Sequence, residues 1–190
     1  MTSDGEGTVV LALGNILTGD DGAGPAALAE LLRTHELPPH VEVLDGGVLG
    51  MNLLGLLAGA RALLVLDAVE TRRRPGELIR LEGTDLRAAF AARLSTHELG
   101  FVELLAATRL QGREPPRLVL WGVQPGEVSP MMGLSSPVAA AVPRLAEAAA
   151  GELREWGLTV TGRASPAPPP TYPDGILSLT ATRRLVTENR

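Results

Sequence analysis

The stretch "GNILTGDDGAG", Gly14 to Gly24, sets two adjacent carboxylates, Asp20 and Asp21, in a glycine-rich turn directly after the apolar run "TVVLALG". Turns of this kind hold phosphate with backbone N–H groups at a helix N-terminus. Two negative charges would repel a pyrophosphate, and the glycine spacing departs from the dinucleotide fingerprint. A cation suits the loop better. Two further residues could join it. Asp67 closes the apolar run "ALLVLD", where a carboxylate is costly unless it is paired, hydrogen-bonded, metal-bound or open to a cleft. His97 lies in "LSTHELGF", at the start of a helix that Ser95 or Thr96 can cap. Each also has a plainer reading. Asp20 can cap the helix that follows and complement its dipole, which leaves Asp21 to point into the cleft. Asp67 alone is as consistent with a structural role as with a chemical one, and a lone histidine is more often structural than a ligand. Together, two carboxylates and one imidazole from separate strand and helix ends would make a three-ligand site with open positions, suited to a borderline divalent metal. His35 and His40 flank "ELPP" and read as ordinary surface.

Composition removes most other chemistry. The 190 residues contain no cysteine, and all 17 basic residues are arginine. Disulfides, thiolate nucleophiles, cysteine zinc sites, Schiff-base lysines and P-loop lysines are therefore excluded. With 22 acidic residues the formal charge is −5, which gives no basic footprint for nucleic acid and no polybasic membrane patch. The opening "MTSDGEG" lacks the basic and apolar segments of a secretory signal. The apolar stretch Leu53 to Val69 is interrupted by Arg61 and Asp67, which reads as a helix followed by a strand rather than a membrane span. The expected location is the cytoplasm.

The elements that must position these residues follow from periodicity. "TVVLALG" reads as a strand and "AGPAALAELLRTHEL" as a helix with Pro25 near its start. "HVEVLDGG" alternates as a strand, "MNLLGLLAGA" can form a helix, and "RALLVLDAV" suits a strand buried on both faces. After the turn Arg72 to Gly76, "ELIRLEG" alternates like an edge or antiparallel strand. Leu99 to Leu110 reads as a helix, "RLVLWGV" as another buried strand, and Ala-rich Pro137 to Trp156 as the long last helix of the core. This order predicts an α/β single domain with a twisted, mostly parallel β-sheet and helices on both faces, phosphorylase/hydrolase-like. Its site belongs at the carboxyl ends of the strands. Gly14 to Gly24, Asp45-Gly46-Gly47, Asp67 and Gly122 to Pro125 all fall there. The domain is expected over residues 1–162. Residues 163–190, opening with "RASPAPPPTYPDG", are expected to form a mobile proline-rich tail.

At this point the residues resemble a known family, the hydrogenase maturation endopeptidases, which trim the C-terminus of the large subunit of nickel–iron hydrogenases. Gly14-Asn15, Leu17, Asp20-Asp21-Gly22 and Gly24 resemble the family's opening G-N-x-L-x-x-D-D-G-x-G. Asp45-Gly46-Gly47, the strand ending in Asp67, His97 before a helix, and "WGVQP" followed by "GLSSPV" occur in the family's order. The resemblance runs from about Val9 to about Trp156. It implies that Asp21, Asp67 and His97 are the catalytic, metal-contacting residues, and that Asp45, Gly46 and Gly47 meet the precursor. It also implies that Ni2+ arrives inside that precursor rather than residing in the protease, which the absence of cysteine fits, because the substrate brings its own thiolates. The implied reaction is hydrolysis of one peptide bond near the nickel, with no serine nucleophile; nothing points to Ser95. Many family members follow Asp-Gly-Gly with Thr, whereas Val48 stands here, so one donor and acceptor is missing from the segment that resembles the recognition loop. Gln124 is expected to order the cleft by hydrogen bonding. Two other readings compete with this one: a non-catalytic, nickel-dependent module that binds and checks the precursor, and a nucleotide-binding α/β domain, which the paired aspartates and missing lysine disfavour.

Overall fold

Four parallel strands and one antiparallel edge strand form the central sheet of the computed structural model. It describes residues 7–47, 57, 59–86 and 96–167, with 96–100 as backbone only. In chain order the elements are β1 (Thr8–Leu13), α1 (Ala23–Thr34), β2 (His35–Glu36), β3 (Glu42–Gly47), β4 (Ala62–Ala68), β5 (Leu78–Glu82), α2 (Thr96–Leu110), β6 (Arg117–Val123), α3 (Ser136–Glu155) and β7 (Thr161–Gly162). The five-stranded sheet has the order β3-β1-β4-β6-β5, and β2 and β7 form a separate antiparallel pair. β5 pairs antiparallel with β6 at the edge, as its alternation suggested.

Strand alternation sorts the core into two layers. Val10, Ala12, Leu64, Leu66, Val119 and Val123 face α1 and α3, whose buried stripes include Ala27, Leu28, Leu31, Ala141, Leu145 and Ala149. The opposite face carries Val9, Leu11, Leu13, Leu63, Val65 and Leu120, packed with Phe101 and Leu104 of α2. Both faces of β1 and β4 are thus covered, which is why these strands read as unbroken apolar runs. Among the described residues no helix is long and apolar enough to cross a membrane.

The direction of winding across the sheet reverses between β1 and β4, which run parallel. The connection leaving β1 runs through α1 to β3 on one side, and the chain then returns to place β4 on the other side of β1. Such a switch point opens a crevice at the carboxyl ends of the two strands. Gly24 lets α1 start against both of them: a Cβ there would sit 2.2 Å from the Leu13 carbonyl oxygen and 2.4 Å from that of Leu66.

Some local expectations need correction. His35 is not ordinary surface; it is 6% exposed, hydrogen-bonded through Nδ1 to Thr34 Oγ1 at 2.9 Å, with Nε2 3.1 Å from Glu147 Oε2 on α3. His35 also pairs with Gly162, a contact between two-residue strands that local periodicity does not reveal. His40 is exposed as expected. α2 begins at Thr96, three residues before the expected Leu99. The helix expected over "MNLLGLLAGA" falls largely outside the described residues, as do Val48, Ser95 and residues 168–190. Residues 163–167 lie along the end of α1: the Arg163 N–H donates to Thr34 O and the Ala167 N–H to Arg33 O, each at 2.8 Å.

Candidate active site

Gly14 is where the segments bearing Asp21, Asp67 and Gly47 meet. It ends β1 with φ 121°, a conformation that glycine adopts without steric cost. Its N–H donates to Gly47 O at 3.1 Å, which joins it to the Asp45-Gly46-Gly47 segment. A Cβ on Gly14 would fall 1.9 Å from the Asp21 carbonyl oxygen and 3.7 Å from Asp67 Oδ1. No side chain fits there, and that bare Cα lets the loop after β1, the end of β3 and the end of β4 close on one point.

Asp21 is 7% exposed and accepts two hydrogen bonds on Oδ2, from the Asn15 N–H at 2.8 Å and from Thr18 Oγ1 at 3.1 Å. Asn15 Oδ1 in turn accepts the Leu17 N–H at 3.0 Å, so the turn fixes its carboxylate through its own short-range bonds. Asp67 is fully buried, and its Oδ1 accepts the N–H of Ala68 at 2.8 Å. Strand alternation places it in line with Leu63 and Val65, on the α2 face. α2 joins β6 through the short segment Gln111 to Pro116 at the amino end of the sheet. Fifteen residues of helix span about 22 Å, enough to carry the first turn, with His97, back towards the carboxyl edge. The His97 side chain lies outside the described residues. Among the described residues no three His, Cys, Asp or Glu side chains are grouped to hold a metal.

Asp45 stands opposite Ala12 in the β1–β3 ladder, and the register shifts at the next step, so that Leu13 faces Gly47 and Gly46 bulges out. The Gly47 N–H donates to Asp45 Oδ1 at 3.1 Å. Burial pushes the Asp45 carboxyl above its ordinary range, and the Gly47 hydrogen bond opposes that only in part.

Asp20 does not cap α1; neither the 3-10 turn Gly19–Gly22 nor α1 has a side-chain cap. It points the other way. Its Oδ2 accepts the N–H groups of Gly126 and Glu127 at 2.8 and 2.9 Å and the Ser135 hydroxyl at 2.8 Å, and its Oδ1 accepts the Ser135 N–H at 2.7 Å. Ser135 is the N-cap residue of α3, so the charge serves the dipole of that helix. Burial alone would raise the Asp20 pKa, but the bonds from Glu127, Ser135 and Gly126 outweigh it and hold the carboxyl below its ordinary range. Backbone bonds reinforce the clamp, from the Gly19 N–H to Met131 O at 2.9 Å and from the Met131 N–H to Leu17 O at 3.1 Å.

Gln124 is 2% exposed and orders the cleft wall. Its Oε1 accepts the N–H of Thr71 at 2.7 Å, the Thr71 hydroxyl at 3.1 Å and the N–H of Arg73 at 3.1 Å. Its Nε2 donates to Pro125 O at 3.0 Å. Sequence reading missed Asn15, Thr18 and Ser135 as supports of the aspartates. Asn15 and Thr18 lie inside the aspartate loop, and a hydroxyl three residues before a carboxylate is a legible local signal. Ser135 carries no such signal, because its partner is 115 residues away in the chain.

A doubly wound sheet with buried carboxylates at its switch point defines an α/β protein whose chemistry sits at the carboxyl edge. The hydrogenase maturation protease family model matches residues 26–152. The hydrogenase expression/formation protein HupD of Rhodobacter capsulatus is 39% identical over 158 residues, covering 82% of this chain and 75% of its own. The hydrogenase 2 maturation protease of Escherichia coli is 36% identical over 156 residues, covering 82% and 95%. Among solved structures, the hydrogenase maturating endopeptidase HybD from E. coli superposes with a TM-score of 0.79 at 35% identity, covering 83% of this chain and 98% of that one. The [NiFe] hydrogenase maturation protease HybD from Thermococcus kodakarensis gives 0.64 at 28% identity, covering 77% and 97%. The chain belongs to the hydrogenase maturation protease family and is a peptidase. The readings as a non-catalytic module or a nucleotide-binding domain are set aside.

Proposed function

We propose that this peptidase removes the C-terminal peptide from a hydrogenase large-subunit precursor that already carries nickel, in the cytoplasm. In this reading Asp21, Asp67 and His97 complete the coordination of the Ni2+ held by the substrate, while Asp45, Gly46 and Gly47 meet the precursor beside them. The observation that carries it is the convergence at Gly14, which sets Asp21, Asp67 and Gly47 around a single backbone position. Hard oxygen donors from the protease complement the softer ligands that a precursor supplies. Substrate nickel polarises the scissile carbonyl or acidifies an attacking water. In the alternative route a cleft carboxylate, Asp21 or Asp67, acts instead as the general base that accepts the proton of the attacking water.

Mass spectrometry of a large-subunit precursor incubated with the protein, with and without inserted nickel, tests this directly. Loss of one C-terminal peptide from the nickel-loaded form alone is the expected result. Equal cleavage of both forms would remove nickel from the reaction, and no cleavage of either would overturn the processing step.

A further inference from the structure

The segment leaving Asp67 carries "TRRRPGE", three consecutive arginines in a chain of net charge −5. Its backbone is held firmly. Gln124 Oε1 takes the N–H groups of Thr71 and Arg73, Gln124 O takes the Gly76 N–H at 2.9 Å, and Arg144 Nη2 donates to Gly76 O at 3.0 Å. Arg72 has φ 61°, the one positive value at a non-glycine among the described residues, and its N–H donates to Glu70 Oε1 at 2.7 Å. Arg74 is neutralised by Glu77, Nε to Oε1 at 2.8 Å. Arg72 and Arg73 are exposed and take part in none of the ion pairs among the described residues.

This loop abuts the site. Gly126 is wedged against it, since a Cβ there would lie 3.1 Å from Pro75 Cβ and 3.4 Å from Asp20 Oδ2. Arg72 follows Asp67 by five positions, so their backbones are at most about 18 Å apart. The geometry points to Arg72 and Arg73 as a cationic anchor for an acidic stretch of the precursor close in the bound chain to the scissile bond. The assignment rests on the proposed processing of a precursor. Guanidinium forks pair with carboxylates in two-pronged fashion, and a pre-ordered backbone lowers the entropy lost when they do. Two cations against a net negative surface also orient the partner, since exposed charges act over about 8 Å at physiological salt.

The test is affinity, measured calorimetrically with nickel-free precursor, which the proposed reaction leaves uncut, at about 50 and about 300 mM salt, either side of physiological screening. The R72S/R73S variant is expected to bind about three- to ten-fold more weakly at low salt, the size of two exposed ion pairs, and to lose most of the salt dependence. R109S/R113S removes the same charge at the opposite end of the sheet and is expected to bind like the wild type, with unfolding temperatures unchanged throughout. An R72S/R73S affinity and salt slope equal to wild type would overturn the anchor, as would equal weakening in R109S/R113S. A nickel-loaded precursor that binds without being shortened would count against the processing reaction alone, because the affinities still decide the role of the arginines. Failure of the wild type to bind any precursor would overturn both.

Discussion

Exchanging Asp21 for asparagine keeps an oxygen for the Asn15 and Thr18 donors while removing the negative charge. D21N is therefore expected to fold with a nearly unchanged melting temperature and to lose cleavage of nickel-loaded precursor by about 100-fold or more, the scale of general base and ligand roles. Cleavage at the wild-type rate would take Asp21 out of the mechanism. Its neighbour behaves in the opposite way. Four donors converge on buried Asp20, and D20N turns an amide N–H2 towards some of them, a loss of about 2–4 kcal/mol for a buried charged acceptor. The folded pKa of Asp20 lies below that of the unfolded chain. Its contribution is thus fully present above about pH 4 and disappears as pH falls through the lowered folded value. Thermal unfolding of wild type and D20N across this range should show a gap that narrows on acidification; a constant gap would contradict the assignment. That Asp21 and Asp67 stand buried beyond or at the carboxyl ends of apolar strands was legible in the sequence, because a carboxylate after a buried parallel strand has few inexpensive environments. That Asp20 serves α3 was not, because the donors it meets lie more than 100 residues away.

At the level of elements, the fit of α1 against the sheet depends on one missing methyl. G24A would drive a Cβ into the Leu13 and Leu66 carbonyl oxygens, so α1 must retreat, at about 1–3 kcal/mol or more. Asp21 sits three residues upstream, so precursor cleavage should fall together with the melting temperature. Gly151 lies in α3, and a methyl placed on its Cα would meet nothing within 4 Å. G151A should stabilise by about 0.5–1 kcal/mol, as alanine does within a helix. Calorimetric unfolding of the two variants, moving in opposite directions, checks both statements. The long strands and helices were readable because each buries a continuous stripe with a period of its own. β2 and β7 were not, since two residues hold no period and the pairing joins distant parts of the chain. The same limit hid the role of Glu152, an acid within an alanine-rich helix. It receives Arg80 at 2.7 and 2.9 Å, Trp121 Nε1 at 2.9 Å and Trp156 Nε1 at 3.0 Å, fastening the edge strand β5 to α3.

Across the whole molecule, three loops from separate parts of the chain meet at Gly126, and their residues divide the work: Asp20 and Gln124 hold positions, Arg72 and Arg73 face outward, and Asp21 is the residue proposed to meet the nickel. Rigidity and recognition are thereby divided between neighbours, so D20N and R72S/R73S should fail in different assays, one in unfolding and the other in affinity. The clamp also sets an order in time. During synthesis the loop bearing Asp20 and Asp21 is made well before its partner, and Asp20 cannot bind Gly126 until 106 more residues have followed it. At ordinary elongation rates that delay is about 5–20 s. Until residues 126 to 135 have emerged, the chain carries Asp20 and Asp21 without the clamp that holds their loop in place.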